Sequence, residues 1–507
     1  MSDLPGAPAS YWIESTPAPA WPAARGDATV DVAVIGAGIV GLTAADLLKK
    51  AGLSVAVVEA RRVAEGVSGH TTAKVTAGHG VIYSEIARTF GEDGARTYAA
   101  SNLAALEYMA VLVDTEAVDC EWVRKDNYIY ADSPDSVDTV RQEAEACAAA
   151  GMDAEFVTEV PLPFETFGAV RQRNQAQFHP RRYFLHLADA VDGDGSSVWE
   201  NSRVTKVHDG TPCRVETEHG VITARDVVIA THMPMADRGL FFAKVHPFRE
   251  HVVTAKVARA MVPDGMFISA GQPTRSVRGT PYGDDALLVI SGEKHKVGEE
   301  SDTEQRYRLL QQWASERFAV EAFEHHWSAQ DNYSVDGVPY IGRLSRTAQH
   351  LYTATGFNAW GMTGGTLAGM LLSDAILGRD NPWASLYDSN RVKPVAGAKD
   401  FIKENVKDAV HFVGDRLAKE GEDSADALAP GEAAVVQADG GPVAAYRDDE
   451  GTVHAVSAVC THMGCLVSWN NGERSWDCPC HGSRFAVDGQ VLNGPAVQPL
   501  ERKDLPD

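Results

Sequence analysis

One stretch limits the possible folds of this chain more than any other: "TVDVAVIGAGIVGLTAADLLKKAGLSVAVVEA", residues 29–60. An apolar run, a glycine turn, an amphipathic run and a second apolar run make a βαβ unit. The pattern G-x-G-x-x-G falls on Gly36, Gly38 and Gly41, where strand gives way to helix. Gly36 permits the tight turn, Gly38 lets backbone approach a pyrophosphate, and Gly41 lets the helix pack closely on the strands. The helix start at Ile39 and Val40 then presents unpaired N–H groups to phosphate. Glu59 closes the second strand, with Ala60 and Arg61 after it, where a carboxylate can accept both hydroxyls of a ribose. Strand, helix, strand and acid together predict dinucleotide binding.

The segment after Glu59 narrows the choice of dinucleotide. "ARRVAEGVSGHTTAKVTAGHG" is a loop rich in Gly, Ser and Thr with no immediate return to a strand, unlike a nicotinamide domain of repeated βαβ units. Further on, "RVTKVHDGTPCRVETEHGVITARDVVIATHMP" gives three strand-like runs with hairpin turns at Asp209-Gly210 and His219-Gly220. "HLYTATGFNAWGMTGGTLAGMLLSDAILG" then supplies a strand, a glycine-rich loop and a helix. The helix N-terminus, at Gly361 to Thr366, suits a phosphate or an electron-rich ring edge. No second G-x-G-x-x-G opens a βαβ unit, which argues against an NAD(P)H-dependent flavin reductase and for hydride from an organic substrate.

On "VAVIGAGIVGL…VVEA", "DVVIAT" and "DGVPYIGR…LYTATGFNAWGMTGG", the chain resembles the glycine oxidase, sarcosine oxidase and D-amino-acid oxidase superfamily over roughly residues 28–390. The resemblance implies FAD, with Glu59 on the ribose and the backbone at Val204 beside the adenine. It also implies that Thr231 after "DVVIA" and the turn Gly361, Met362, Thr363 and Gly364 contact the cofactor. "GVSGHTTAK" resembles the "GT(S/T)WHAAG" segment of dimethylglycine and sarcosine dehydrogenases, whose histidine is joined covalently to the flavin. His70 falls on that histidine, but Gly69 stands for the tryptophan and Thr71-Thr72 for the alanines. A loop that merely wraps the flavin, with Thr71, Thr72 and Lys74 as polar contacts, is the favoured expectation.

Near the C-terminus "CTHMGCLVSWNNGERSWDCPCHGSRF", residues 460–485, holds four of the seven cysteines and two histidines. The other three, Cys120, Cys147 and Cys213, are scattered singly as reduced thiols usually are. Clustering points to a metal. Six candidate ligands, Cys460, His462, Cys465, Cys478, Cys480 and His481, exceed what tetrahedral zinc needs. A zinc ribbon would want two C-x-x-C knuckles, and a ferredoxin four cysteines at other spacings without histidine.

The two boxes "CTHxGC" and "CPCHGS" resemble the Rieske 2Fe-2S domain of the cytochrome bc complexes. That match implies one iron on Cys460 and Cys478 and the other on His462 and His481, with Cys465 and Cys480 paired in a disulfide. It places the potential somewhere in about −150 to +300 mV. Ser483 matches the family's serine that donates to a bridging sulfide. Phe485 stands where high-potential members carry a tyrosine, which predicts a potential below the top of that range. "LNGPAVQPL" resembles the proline loop that covers the cluster.

With 507 residues, 44% hydrophobic content and a formal charge of −24, the chain can bury more than one core. The acidic balance disfavours nucleic acid and anionic membrane surfaces as partners. The first thirty residues lack a basic n-region and are broken by prolines, and no run approaches the ~20 apolar residues of a membrane span. A cytoplasmic protein without integral membrane association is expected.

The expected fold is an α/β FAD-binding Rossmann-like domain, with a mixed-sheet α+β substrate domain and a small all-β C-terminal Rieske domain. Residues 1–27 form an N-terminal extension and 28–390 the oxidoreductase region, with the substrate domain near 240–330. Residues 391–426 hold an amphipathic helix and a linker, and 427–507 the Rieske domain. For catalysis the sequence thins out: His295, His251, Arg249 and Tyr340 are candidates for the substrate face. The expected enzyme is a dehydrogenase taking hydride from a small amine or amino acid and passing electrons through the 2Fe-2S cluster to an unknown acceptor. A reductase with electrons entering at the cluster, and a non-enzymatic electron-transfer or redox-sensing module, are the alternatives.

Overall fold

Strand β1 (Ala28–Ile35) buries its last four residues, Val32 to Ile35, because it lies inside a mostly parallel sheet. It pairs in parallel with β2 (Val55–Val58) on one side and β3 (Gly220–Ile229) on the other. Leu351–Thr355 adds to β3, and Ser197–Trp199 to β2, both in parallel, while Tyr340–Arg343 closes one edge antiparallel. A sheet buried on both faces explains why these strands read as unbroken apolar runs. The computed structural model describes residues 4–236, 239–391, 425–438 and 441–504.

Helix α1 (Ile39–Lys50) lies against α2 (Gly361–Leu377), and small residues set the spacing. A Cβ at Gly365 would sit 2.6 Å from Ile39 Cγ2, and one at Gly369 2.6 Å from Thr43 Cβ. Gly41 is equally forced, since a Cβ there would meet the Gly36 carbonyl oxygen at 2.0 Å. The two glycine-rich motifs, far apart in sequence, thus end as neighbouring helix N-termini.

A second sheet of nine strands is mixed. At one end β4 (Val245–Val257) pairs antiparallel with both β5 (Asp285–Lys296) and β6 (Ala322–Ser334). At the other end it takes Val123–Tyr130 and Ala169–Gln177, joined through a parallel pairing of Met266–Ser269 with Val123–Tyr130. The sheet therefore reaches beyond the stretch 240–330, drawing strands from residues 74–177 as well. The amphipathic helix expected in 391–420 and most of the linker lie outside the described residues.

The C-terminal part folds as a three-stranded meander (Ala433–Ala438, Gly441–Arg447, Val453–Ser457) and a four-stranded sheet from Ser468 to Asn493. Its own core centres on the fully buried Trp476 and Phe485. It docks on the second sheet and on the helix Thr303–Ser315 packed against it: Thr303 Oγ1 donates to Asn470 Oδ1 (2.6 Å), and Gln330 Nε2 donates to the Gly482 carbonyl (2.9 Å). Among the described residues no helix is long and apolar enough to cross a membrane.

Candidate functional site

A long cleft runs between the two large sheets and ends against the C-terminal domain. Its first end is built by the βαβ unit. Gly36, at φ +105°, turns the chain where a Cβ would strike the Ala230 carbonyl at 2.6 Å. Gly38, Ile39 and Val40 come next on the cleft wall at the start of α1, whose first N–H groups have no partner within the helix, that of Ile39 donating to Ser68 Oγ at 3.0 Å. Glu59 points into the same end, held by the backbone N–H groups of Ala37 and Arg61 at 2.9 Å each. Each oxygen retains a lone pair for a ribose hydroxyl. Ala60, Arg61, Val204 and Thr231 also line this end. A glycine cradle, a helix N-terminus and a fixed carboxylate fit the pyrophosphate and ribose of a dinucleotide.

The loop after β2 lines the cleft with His70, Thr71 and Thr72, and its path is fixed by four side chains from three distant places. Four consecutive carbonyls are taken. Ser10 Oγ donates to Gly69 O (2.6 Å) and Trp327 Nε1 to His70 O (2.8 Å). Trp12 Nε1 donates to Thr71 O (2.7 Å) and Arg278 Nε to Thr72 O (2.6 Å). His70 Nδ1 bonds the Gly66 carbonyl at 2.8 Å, and desolvation pulls its pKa down to about 4, so the ring is neutral near pH 7. The N-terminal segment is thereby part of the site, although nothing in its own residues announces that role.

The far end of the cleft comes from the second sheet and from α2. Gly361 and Met362 line it, while Thr363 turns behind the wall, donating to the Thr76 carbonyl (2.9 Å) and contacting His79 Nε2 (3.0 Å). Gly364 packs against Phe357, and Gly41 against β1, so both shape the cleft from outside. On the sheet, a β-bulge at Arg249–His251 lets the adjacent Arg249 and Glu250 both reach the cleft. Lys294 and Tyr333 stand opposite, with the ammonium 4.4 Å from the ring centroid. Burial raises the Glu250 carboxyl and lowers the Lys294 ammonium, each partly offset by the other's charge. Asp331 completes this end, hydrogen-bonded to His232 at 2.9 Å.

Three sequence candidates stand elsewhere. His251 and His295 stack on each other at 5.1 Å, beside Tyr307, away from the cleft. Tyr340 lies under the Arg391 guanidinium, 3.9 Å from its ring centroid, and against Phe241. His251 and His295 are each one register step from a residue that lines the cleft, and Tyr340 lies on the edge strand of the first sheet. Of the four candidates only Arg249 lines the cleft.

The cysteine and histidine residues gather on two loops that face each other. Cys465 and Cys480 form a disulfide with Cα atoms 6.6 Å apart. Cys460 and Cys478 are unbonded, buried and adjacent, and the hydrogen bond between them lowers the Cys460 thiol while raising that of Cys478. The His462 and His481 rings stand edge to face at 5.1 Å, and His481 Nδ1 is buried without a hydrogen-bond partner. The sulfurs of Cys465, Cys478 and Cys480 lie within 4.8 Å of one another, but two of them are spent in the disulfide, which leaves no three-thiolate zinc site there. Two thiols and two imidazoles fit a 2Fe-2S cluster.

The loops are not equivalent. The second is pressed on the flavin-side sheet: His481 is buried, Phe242 meets its ring at 5.9 Å, and Gly298 packs on Pro479. The first carries the exposed Met463. Between loop and cleft runs the segment Leu492 to Val497, which lines the cleft and whose Ala496 N–H donates to Ser483 Oγ (3.0 Å).

Comparison with known proteins matches both parts of the chain. The model of the FAD-dependent oxidoreductase family matches residues 31–375, and that of the Rieske [2Fe-2S] domain residues 422–504. The chain belongs to the FAD-dependent oxidoreductases. It is 36% identical over 501 residues, 98% of each chain, to YhfW of Bacillus subtilis (strain 168), named as a Rieske 2Fe-2S iron-sulfur protein. It is 24% identical over 366 residues, 69% of this chain and 84% of the other, to gamma-glutamylputrescine oxidoreductase of Escherichia coli (strain K12). Glycine oxidase from Geobacillus kaustophilus has the same fold, with a TM-score of 0.60 at 18% identity over 72% of this chain and 99% of that one. This oxidoreductase binds FAD in its first domain and carries a 2Fe-2S cluster in its Rieske domain.

Proposed function

We propose that this oxidoreductase dehydrogenates a small amine or amino acid and sends the electrons singly through the cluster to an external acceptor. The observation that carries the reading is the shared wall: Leu492 to Val497 of the Rieske domain line the flavin cleft and hydrogen-bond the loop that bears His481. An oxidase needs no such exit. The names of the relatives, a putrescine derivative's oxidoreductase and a glycine oxidase, support a C–N bond as the site of oxidation. When bound, FAD would supply a hydride acceptor for the carbon beside nitrogen, and the cluster a one-electron carrier.

In this reading Glu59 holds the ribose, the turns at Gly36 to Gly38 and Gly361 to Met362 receive the pyrophosphate and ring, and His70 to Thr72 wrap the flavin without a covalent bond. Cys460, Cys478, His462 and His481 hold the irons. Glu250, Lys294, Tyr333 and Asp331 face the substrate in place of His251, His295 and Tyr340. Buried and within reach of each other's charge, Glu250 and Lys294 offer a proton acceptor and donor, the carboxyl raised and the ammonium lowered by burial. The unpaired thiols Cys120, Cys147 and Cys213 support a reducing, cytoplasmic compartment.

Anaerobic titration tests the proposal. A small amine or amino acid should bleach the flavin band first and the cluster band second. Reduction by a carrier protein and by no amine or amino acid would overturn it in favour of the reductase direction. Acid precipitation should release the yellow colour into the supernatant; colour retained in the pellet would mean a covalent link at His70.

A further inference from the structure

The second sheet and the Rieske domain meet at a buried charge network that begins in the flavin cleft. Arg249, 4% exposed, lines the cleft and donates from one terminal nitrogen to both carboxylate oxygens of Glu473, at 2.6 and 2.7 Å. Glu473 belongs to the Rieske hairpin turn. Its carboxylate also receives Ser328 Oγ and Arg484, and Tyr307 Oη at 3.3 Å. Arg484 Nε in turn donates to Asp477 Oδ1 at 2.9 Å, and Asp477 precedes the cluster cysteine Cys478. Cations and anions alternate along this line, Arg249, Glu473, Arg484, Asp477.

A lone guanidinium on the cleft wall, itself almost fully buried, would bring a positive charge to bear on whatever lies there. Glu473 cancels that charge from the neighbouring domain. The two are felt together inside the cleft wall: the fields of both Glu473 and Arg249 reach the ring of His70, with opposite signs. Burial opposes the Glu473 charge, yet Arg249 and Arg484 hold its carboxyl well below the usual range, so it is ionised at any working pH.

We infer that Glu473 is a positioning residue of the flavin site: through Arg249 the Rieske domain fixes the local charge of the cleft and thereby lowers the midpoint potential of the bound flavin. The Rieske domain is then an electrostatic part of the flavin site as well as an electron conduit. The inference needs only FAD in the cleft, so it stands or falls independently of substrate and direction of electron flow.

The test is an anaerobic redox titration of the holoenzyme, reading the flavin band against a reference dye. Glu473→Gln leaves Arg249 uncompensated, and a positive charge favours the reduced, more negative flavin. At a fixed potential the ratio of reduced to oxidised flavin should rise roughly tenfold or more, as for loss of a hydrogen bond to a charged group. Arg484→Gln perturbs the same network but strips a cation from Glu473, so the ratio should fall. A Glu473→Gln ratio within twofold of the parent, or both variants shifting in the same direction as general disorder would, overturns the inference. Glu473→Asp, which keeps the charge, should restore the parent ratio. If Glu473→Gln does not fold, an unchanged ratio in Arg484→Gln overturns it alone.

Discussion

The two redox sites of this chain are built by opposite strategies. The cluster loops lie within twenty-six residues of sequence, tied by one disulfide and packed on their own core of Trp476 and Phe485. The flavin cleft draws on residues 10 and 12, the βαβ unit, the loop at 66–72, three strands of a second sheet, α2 and a segment of the Rieske domain. A site of the first kind depends on local geometry and tolerates changes elsewhere. One of the second kind depends on the whole assembly, and distant substitutions reach it.

The largest test of that difference is a pair of variants. Cys478→Ser should abolish the cluster, with iron falling to background, while FAD remains at one per chain by absorbance. Gly41→Ala should do the reverse. Its Cβ would sit 2.0 Å from a backbone oxygen that cannot move away, at a cost of about 3 kcal/mol or more, so flavin content drops while the cluster spectrum persists. Loss of both cofactors in either variant would break the comparison.

Acid should separate the sites next. His79 and His179 are buried in the flavin region, where desolvation lowers both to about 3. In the unfolded chain they titrate near 6.5, so below that pH the unfolded state binds more protons and folding stability falls. Each group contributes about 1.4 kcal/mol per pH unit between 6.5 and about 3, with stability fully present above 6.5. A melting profile tracked by flavin fluorescence should therefore shift down steadily from pH 6.5 to 4. A flat profile would show that these imidazoles are solvated in the native state.

The smallest expected effect lies in the self-contained site. Phe485→Tyr offers one hydroxyl to the cluster sulfurs, and a hydrogen bond to a charged acceptor should raise the cluster potential by roughly 60 mV or somewhat more. The flavin potential should not move. Protein-film voltammetry reads the first and a dye titration the second.

The division between the sites also governs how much of each was legible in the sequence. The dinucleotide end of the cleft and the six cluster positions were readable because turn, helix start, carboxylate and ligand spacing all sit on contiguous chain. The far end of the cleft was not. On a strand, neighbouring residues face opposite sides, so Lys294 lines the cleft and His295 does not. The bulge at Arg249–His251 then shifts the alternation again, bringing in Glu250 and leaving out His251. No local pattern marks such a bulge, and polar residues buried on both faces of β4 erase the hydrophobic alternation that would have fixed its register. The role of Ser10 and Trp12 was equally hidden, since a hydrogen bond to a carbonyl 59 positions away leaves no trace in spacing. Tyr340 lies off the cleft wall for another reason: it sits on an edge strand whose buried face meets Phe241 and Arg391.

The four held carbonyls of residues 69–72 also bear on how this family can diverge. The clamp grips main chain, which every residue shares, while His70 Nδ1 and Thr71 Oγ1 are spent on the loop's own backbone, at Gly66 and Ala73. Substitution at Thr72 can therefore change the cleft wall while the loop keeps its course, and the invariants to seek among relatives are Ser10, Trp12, Arg278 and Trp327, far from the motif they protect.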